Sequence, residues 1–418
     1  MSREPKVRKY AHFDDPLDKD VLAAFAITPE EVSSHPFLPL LGYEKIARKM
    51  DFDDGFPFLV KKPRAIRYAS HTDAAIYSQY AQALNALYDA DLKARGLSHS
   101  VLAYRSGIGN NIHFAKSLFD EIKERENCIV VCIDISKFFD NLRHEILKKN
   151  LCQLLGVNRL PSDWFKVFER LTSYEYVSKE DIEAKLGRLR GKRVCSIDVF
   201  RSYIRPLIKR HDKSYGIPQG TPLSGTFANL YMVEFDSHIR AILEGFGGTY
   251  RRYSDDIAIV LPSSAYLTEA MSAISDCLDK HGLALNEDKT CVTAVTAVDL
   301  GQQTQGDECQ YLGFTYDGRR VLIRSASMKN YYSRMKRGIN KYVKGAAHKK
   351  VPPLQIRKRV PIGRFTHWGD NKNFVQYAYR AAKLMNSPAI KRQLRNHVEV
   401  FNRSWVKSLG KWYPDQPG

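Results

Sequence analysis

Apolar residues cluster in two short runs of the chain, and each run borders a carboxylate. Residues 128–133 are apolar, rich in β-branched side chains, and end at Asp134. Residues 257–261 are equally apolar and directly follow Asp256. Runs of this length and composition are typical of β-strands that are buried on both faces of a sheet. We therefore predict two buried strands, each with a carboxylate at one end.

A loop and a helix are predicted between these strands. Residues 215–222 are dense in Gly and Pro, which predicts a shaped loop. The residues that follow place Leu223, Phe227 and Leu230 at helical spacing. Glycines let a backbone approach a ligand closely, and the amides at the start of a helix favour phosphate groups. This segment is therefore a candidate for ligand binding through its backbone.

The carboxylates beside the strands are candidates for metal binding. Asp255 and Asp256 are adjacent, and like charges that close raise each other's pKa unless a cation neutralises them. Mg²⁺ prefers carboxylate oxygens and substrate phosphates. With Asp134 on a neighbouring strand, the pair would hold two Mg²⁺ ions about 3.5–4 Å apart, a geometry suited to nucleotidyl transfer. Two plainer interpretations stay open: an ordinary polar turn at the aspartate pair, and Asp134 or Ser136 as the N-cap of a helix over 137–150.

Charge is distributed unevenly over the 418 residues. The formal net charge is +19, yet residues 319–418 alone carry 24 Lys and Arg against 3 Asp and Glu. Aromatic residues are interleaved with these cations at 329–337 and 376–380. Such a composition is typical of a lobe that binds phosphate backbones and stacks on sugars or bases. A solvated charged face is the alternative, but so much unbalanced charge would repel itself without a polyanion.

Composition also limits the compartment and the class of protein. The longest apolar runs, around 129–133 and 257–261, are far too short to span a bilayer. The first residues show no signal-peptide pattern, so we expect a cytoplasmic protein that does not contact a membrane. The seven cysteines form no C-x-x-C pair, and we expect neither a zinc site nor disulfides. The length allows two or three lobes.

The ordered segments resemble the sequence motifs of reverse transcriptases. The resemblance spans about residues 61–318, and this many motifs in the same order are not expected by chance. The matching segments are 62–67, 103–107, 134–139, 216–224, 253–256, 282–290 and 311–314.

The resemblance implies roles for individual residues. The catalytic metal ligands would be Asp134, Asp255 and Asp256, with the backbone of Ile135. The nucleotide would contact Arg105, Phe139, Gln219, Lys289 and, more weakly, Arg64 and Arg67. Primer and template would contact Gly220, Tyr253, Tyr311, Leu312, Gly313, Arg334, Lys336 and Arg337. Lys289 matches a lysine that can protonate pyrophosphate, and a solvated lysine at a helix end is the alternative.

Phe139 bears on the choice of sugar. It lies five positions after Asp134, where the resemblance implies an aromatic side chain that blocks a ribose 2′-hydroxyl. RNA-dependent RNA polymerases usually have a second aspartate there, whereas in this chain Asp140 comes one position later. A core aromatic is the alternative interpretation of Phe139. We expect deoxynucleotides as substrates.

The resemblance also implies an α+β fold, that of a right-hand polymerase. Such an enzyme has fingers, a palm of antiparallel sheet with packed helices, and an α-helical thumb or C-terminal lobe. The expected divisions are an N-terminal helical extension (1–60), fingers (61–127), the first part of the palm (128–150), a return to the fingers (151–213), the second part of the palm (214–318), and a basic α-helical thumb and C-terminal lobe (319–418).

The function that follows is RNA-directed DNA polymerisation by nucleotidyl transfer. The expected cofactor is a pair of Mg²⁺ ions, with Mn²⁺ as the alternative. Compact bacterial abortive-infection and defence-associated enzymes resemble this chain most. They imply a structured noncoding RNA as template and scaffold, dNTP substrates, a cDNA product and a role in antiviral defence. The alternatives are a retron-type or group II intron-type reverse transcriptase and, in another class, an RNA-binding protein with a vestigial palm; the oligomeric state stays open.

Overall fold

The β-strands form three separate sheets. A computed structural model describes residues 7–53, 56–189, 191–299, 301–357, 362–368 and 373–414. The strands in these ranges are β1 (Leu40–Asp53), β2 (Phe56–Tyr68), β3 (Cys128–Asp134), β4 (Glu175–Ser178), β5 (Lys209–Arg210), β6 (Thr249–Tyr253), β7 (Asp256–Leu261), β8 (Cys291–Val298), β9 (Gly301–Gly306), β10 (Cys309–Tyr311), β11 (Phe314–Tyr316) and β12 (Val321–Ile323). The sheet orders are β2-β1-β4-β5, β6-β7-β3-β8-β9 and β10-β11-β12.

Helices surround the five-stranded sheet and dominate the C-terminal part of the chain. They are α1 (Lys19–Ala23), α2 (Pro29–Ser34), α3 (His71–Ala94), α4 (Asn111–Arg125), α5 (Phe138–Asn141), α6 (His144–Leu155), α7 (Ser162–Thr172), α8 (Lys179–Leu186), α9 (Ile197–Val199), α10 (Ser224–Tyr231), α11 (Val233–Gly245), α12 (Leu267–Lys280), α13 (Ser325–His348), α14 (Pro353–Arg357), α15 (Ile362–Phe365), α16 (Phe374–Leu384), α17 (Pro388–Gln393) and α18 (His397–Trp412). In the ranges described, none of them has both the length and the hydropathy to cross a bilayer.

The five-stranded sheet is buried on both faces because its central strands alternate between two cores. Val131 and Ile133 of β3 belong to a core that also contains residues of α3, α6, α10 and α11. Cys128 and Val130 belong to a second core, which contains residues of α4, the three-stranded sheet and α13. β7 alternates in the same way, and both strands pair antiparallel along their length. The prediction of two strands buried on both faces is confirmed, as is the α+β class with a helical C-terminal region.

The N-terminal part of the chain corrects one prediction. A helical extension over 1–60 agrees with α1 and α2, but from Leu40 the chain enters β1. This strand forms a long antiparallel hairpin with β2, and β4 adds to it in parallel. The helical prediction is therefore wrong from Leu40 onward. Pairing with β2 and with β4, which comes more than a hundred residues later, sets the conformation of β1 rather than local propensity.

A buried ion pair ties β6 to the helices beneath it. Nε and Nη2 of Arg252 each donate a hydrogen bond of 2.7 Å to the Asp236 carboxylate on α11, and both side chains are fully buried. The Tyr250 hydroxyl donates to the same carboxylate at 2.6 Å. Nη1 of Arg252 donates to Oδ1 of Asn229 at 3.2 Å and to the carbonyl oxygen of Ser254 at 3.1 Å. One guanidinium thus joins α10, α11 and the turn between β6 and β7.

Candidate active site

Three carboxylates meet at one edge of the five-stranded sheet. Asp134, the last residue of β3, is paired in register with Asp256, the first residue of β7. Asp255 precedes it in the β6–β7 turn, and its carbonyl oxygen accepts a hydrogen bond of 3.1 Å from the N–H of Ile135. The sheet register therefore brings together the predicted metal ligands, which are more than a hundred residues apart in sequence.

Asp134 already has a cationic partner. Nζ of Lys289 lies 2.5 Å from Oδ2 of Asp134, and Nδ2 of Asn286 donates to the same oxygen at 3.0 Å. The N–H of Asn286 also donates to the Asp134 carbonyl at 2.8 Å. Lys289 was a predicted site residue and lies at the site. Asn286, in the same segment, belongs to the site as well.

The surroundings of Asp256 disfavour its charged form. Burial, followed by the nearby charges of Asp255 and Asp134, raises the pKa of Asp256 to about 7, while Lys289 and Arg324 act in the opposite direction. Within the described residues, no three Asp, Glu, His or Cys side chains converge closely enough to hold a metal ion as they stand. The donor set still fits a hard divalent cation, because it consists of carboxylate oxygens and carries excess negative charge.

Tyr104 braces the turn that carries the aspartates. Its hydroxyl lies 3.0 Å from the hydroxyl of Ser254 in a hydrogen bond across 150 positions of sequence. Both residues have left-handed backbones, with φ of 58° and 62°, a conformation that is costly for non-glycine residues. A Cβ atom at Gly225 would lie 2.6 Å from the Tyr104 ring, so only glycine leaves room for it. Nδ2 of Asn229 also donates to the Ala103 carbonyl at 2.7 Å.

The Gly/Pro loop bridges the palm and the hairpin. The N–H of Arg67 in β2 donates to the Gln219 carbonyl at 2.8 Å, and the N–H of Ile217 donates to the Phe139 carbonyl at 2.9 Å. Gly220 has a φ of 127°, and a Cβ atom there would lie 2.6 Å from the Arg67 carbonyl oxygen. Glycine is therefore required at this crossing. Gln219 and Gly220 thus lie on this loop, and the Phe139 backbone lies beside it.

The predicted cations of the fingers differ in their availability. Arg64 is exposed on β2, and the Arg67 guanidinium stacks 4.3 Å from the centre of the Tyr176 ring. Arg105, in contrast, is 5 % exposed and is held by Asp89 at 2.6 Å and by two backbone carbonyls. Nε and Nη1 of Arg105 are thus bonded within the fold, so the side chain anchors its own segment in this structure, while its contact with the nucleotide stays a prediction.

The predicted primer contacts also differ in their exposure to solvent. Leu312 and Gly313 form a half-buried turn with φ values of 46° and 89°. Tyr311 is only 3 % exposed and packs in the second core, so it supports that turn from beneath and is not open to a primer. Tyr253 is half-buried in β6, with its ring centre 6.0 Å from that of Phe114.

The three predicted cations of α13 lie on two sides of the helix. Arg334 and Arg337 line a cavity of about 1130 Å³, which we call the first groove and which also includes Ser327, Lys341 and Arg364. Lys336 lines a different cavity, of about 540 Å³, against α18. Residues two positions apart are about 200° apart around a helix. One short stretch of sequence therefore supplies two separate basic surfaces.

Comparisons with known proteins place the chain in a family. Similar solved structures include telomerase from Candida albicans with a fragment of telomeric RNA (15 % identity, 94 % of this chain and 66 % of that chain, TM-score 0.45). Apo telomerase from Candida tropicalis without its C-terminal domain is another (14 % identity, 72 % of this chain and 56 % of that chain, TM-score 0.44). At these scores neither likeness carries an argument.

The sequence matches are more informative. The retron Ec86 reverse transcriptase of Escherichia coli is 29 % identical over 96 residues, which are 22 % of this chain and 30 % of that protein. The match thus spans less than a third of the length of this relative. Residues 61–316 match the family model described as reverse transcriptase (RNA-dependent DNA polymerase). That range covers more than half of the chain and contains the whole carboxylate edge, so the protein belongs to the reverse transcriptase family.

Proposed function

We propose that the protein is an RNA-directed DNA polymerase that extends a primer with deoxynucleotides on an RNA template. The observation that carries this proposal is the register of Asp134 with Asp256, with Asp255 beside them. Two Mg²⁺ ions, when bound, would activate the primer hydroxyl and stabilise the leaving pyrophosphate. The raised pKa of Asp256 supports cation binding here, because a divalent charge would offset the mutual repulsion of the carboxylates.

The residues around the carboxylates suit substrate placement. Lys289 supplies an ammonium at the same edge, half exposed to solvent, and we propose it as the proton donor to the leaving pyrophosphate. Phe139 is held beside the Gly/Pro loop by the bond from Ile217. That bond is to the backbone carbonyl of Phe139, and the side chain is partly buried against the core that contains Val131 and Ile133. We propose that the exposed part of the ring closes the space that a ribose 2′-hydroxyl would need. Arg64 is the exposed fingers cation left to bind phosphate oxygens.

The template that we propose is a structured noncoding RNA, and the biological role is anti-phage defence in a bacterial cytoplasm. The basic C-terminal lobe supports an RNA partner, since it carries 24 Lys and Arg against 3 Asp and Glu. The defence role rests on resemblance to compact defence-associated enzymes. A retron-type enzyme is the second candidate, favoured by the match over 96 residues to a retron reverse transcriptase.

The first prediction concerns the carboxylates. Changing Asp255→Asn together with Asp256→Asn should lower Mg²⁺-dependent dNTP incorporation at least about a thousandfold, because the shape is kept and the metal ligands are lost. Primer extension measures the rate, and filter binding of the same primer–template checks that substrate binding survives. Asp276→Asn, on the exposed face of α12, is the matched control and should keep the wild-type rate. Near-normal incorporation by the double variant would overturn the polymerase proposal.

The second prediction concerns the sugar. Phe139→Val should raise the incorporation of ribonucleotides relative to deoxynucleotides by about tenfold or more, because the smaller side chain admits the 2′-hydroxyl. Competitive primer extension with matched dNTP and NTP pairs gives the ratio. Phe165→Val, at a residue 46 % exposed on α7, is the control and should leave it unchanged. Free use of NTPs by the wild type would contradict selection by Phe139.

The third prediction concerns the Tyr104 brace. Tyr104→Phe and Ser254→Ala remove the same hydrogen bond from opposite ends, and each should lower kcat by about two- to tenfold while KM for dNTP changes little. The double variant should be no slower than the worse single variant, because the two changes share one interaction. Strictly additive losses would show that the hydrogen bond is not what the two residues have in common.

The fourth prediction concerns the RNA partner. One structured RNA species should dominate the nucleic acid that copurifies with the protein after expression beside its native genomic neighbours, because a specific scaffold survives washing while non-specific RNA does not. Sequencing of the bound RNA at several salt concentrations tests this. A diverse mixture that scales with cellular abundance would argue against a dedicated noncoding RNA.

A further inference from the structure

The cavity between α13 and α18 is a basic groove separate from the first groove, and we call it the distal groove. It has a volume of about 540 Å³. Its charged and polar lining includes Lys336, Asn340, Arg403, Lys407 and Lys411. The acidic partner found for these cations, among the residues that the structure describes, is Glu399, which contacts Arg403 at 3.3 Å. Most of the positive charge in the groove is therefore uncompensated.

The distal groove meets α13 in the middle of the helix. The helix α13 starts directly after Arg324, the cation that acts on Asp256. Lys336 follows twelve positions later, about 18 Å along the helix axis at 1.5 Å per residue. The first groove runs along another side of the same helix, from Ser327 to Ala346. The two grooves therefore differ in their side of α13.

The lining of the distal groove fits a phosphate backbone. Arg403, Lys407 and Lys411 recur every four residues on α18, which is a rise of about 6 Å per cation. Nucleic-acid strands carry one charge for about every 3.4 Å of helix axis, so such a row can follow a backbone. The ring of Trp412 lies 5.0 Å from Nζ of Lys344 and 5.4 Å from Nζ of Lys411, which adds an aromatic face beside the cations.

An acidic protein segment fits the groove less well. Peptide helices dock mainly through apolar anchors in apolar pockets. The lining of the distal groove includes one apolar side chain, Val400, among lysines, arginine, serines and an asparagine. Hydrogen-bond donors and charges of this kind match phosphate and ribose oxygens.

We propose that the distal groove binds the backbone of an RNA stem that is not being copied. The protein would then hold its RNA at two places, the polymerase cleft and this outer surface, which lengthens the residence of one RNA on the enzyme. The inference rests on the proposed function insofar as RNA is the partner. It goes beyond that function by assigning a second RNA site to residues of α18 that lie outside the reverse transcriptase match.

The test compares matched charge removals in the full-length chain. Lys407→Gln with Lys411→Gln should weaken binding of a synthetic RNA hairpin with a stem of about 20 base pairs by roughly tenfold, and should flatten its salt dependence by up to about two units. Extension of a short primer–template should stay within about twofold of wild type. Arg334→Gln with Arg337→Gln, in the first groove, should show the reverse pattern.

Charge-preserving variants and a second polyanion make each outcome informative. Lys407→Arg with Lys411→Arg should retain hairpin binding, and its loss there would overturn the proposal. Equal loss of extension and hairpin binding in the Gln variant would assign the groove to the cleft and overturn it as well. So would unchanged hairpin binding with lost binding of poly-glutamate, which would point to an acidic protein partner. If the wild type extends no primer while the Gln variant still loses the hairpin, the polymerase proposal fails and the groove assignment stands.

Discussion

The geometry of the carboxylate edge depends on the buried contact between Arg252 and Asp236. A guanidinium without water around it must be paired and fully hydrogen-bonded, and breaking such a pair is costly. Arg252 meets this demand by bonding to α10, α11 and the Ser254 carbonyl at once. The backbone of the same residue pairs with the segment around Val101. The β6–β7 turn is therefore fixed from within the core, before any substrate is present.

A strained turn can persist only if its surroundings over-determine it. The left-handed Ser254 is held through its carbonyl by Arg252 and through its hydroxyl by Tyr104. These contacts come from the core and from the fingers segment, so the position of Asp255 and Asp256 depends on both. The Gly/Pro loop makes a comparable link by crossing β2 at Arg67 and bonding to Phe139. Fingers and palm are thus joined on two sides of the carboxylates, which suits a site where reacting atoms must be aligned closely.

The carboxylate edge and the C-terminal lobe carry opposite charge. At the carboxylate edge, burial and then the neighbouring carboxylates raise the pKa of Asp256, and Lys289 and Arg324 offset that only in part. The C-terminal lobe carries the opposite charge, spread over two grooves on different sides of α13. A polyanionic substrate would neutralise the positive charge of the lobe, and divalent cations would neutralise the negative charge of the carboxylate edge. Arg105 and Tyr311 match positions of the family motifs; in this structure the Arg105 side chain bonds to its own segment and Tyr311 is buried, while their nucleotide and primer contacts stay predictions.

Local sequence determined much of this protein. The β-branched runs at 128–133 and 257–261 predicted strands, the Gly/Pro loop predicted a helix after it, and the charge of the last hundred residues indicated a basic lobe. The three aspartates could be identified as candidate metal ligands because they lie at the ends of predicted strands. Only the tertiary structure decided that Asp134 lies in register with Asp256, that Lys289 contacts Asp134, and that Tyr104 reaches Ser254. It also decided that the chain from Leu40 is a strand and not a helix. Each of these features depends on a contact with a residue in a distant or separately folded segment. Propensity and periodicity, in contrast, depend only on neighbours within a few residues.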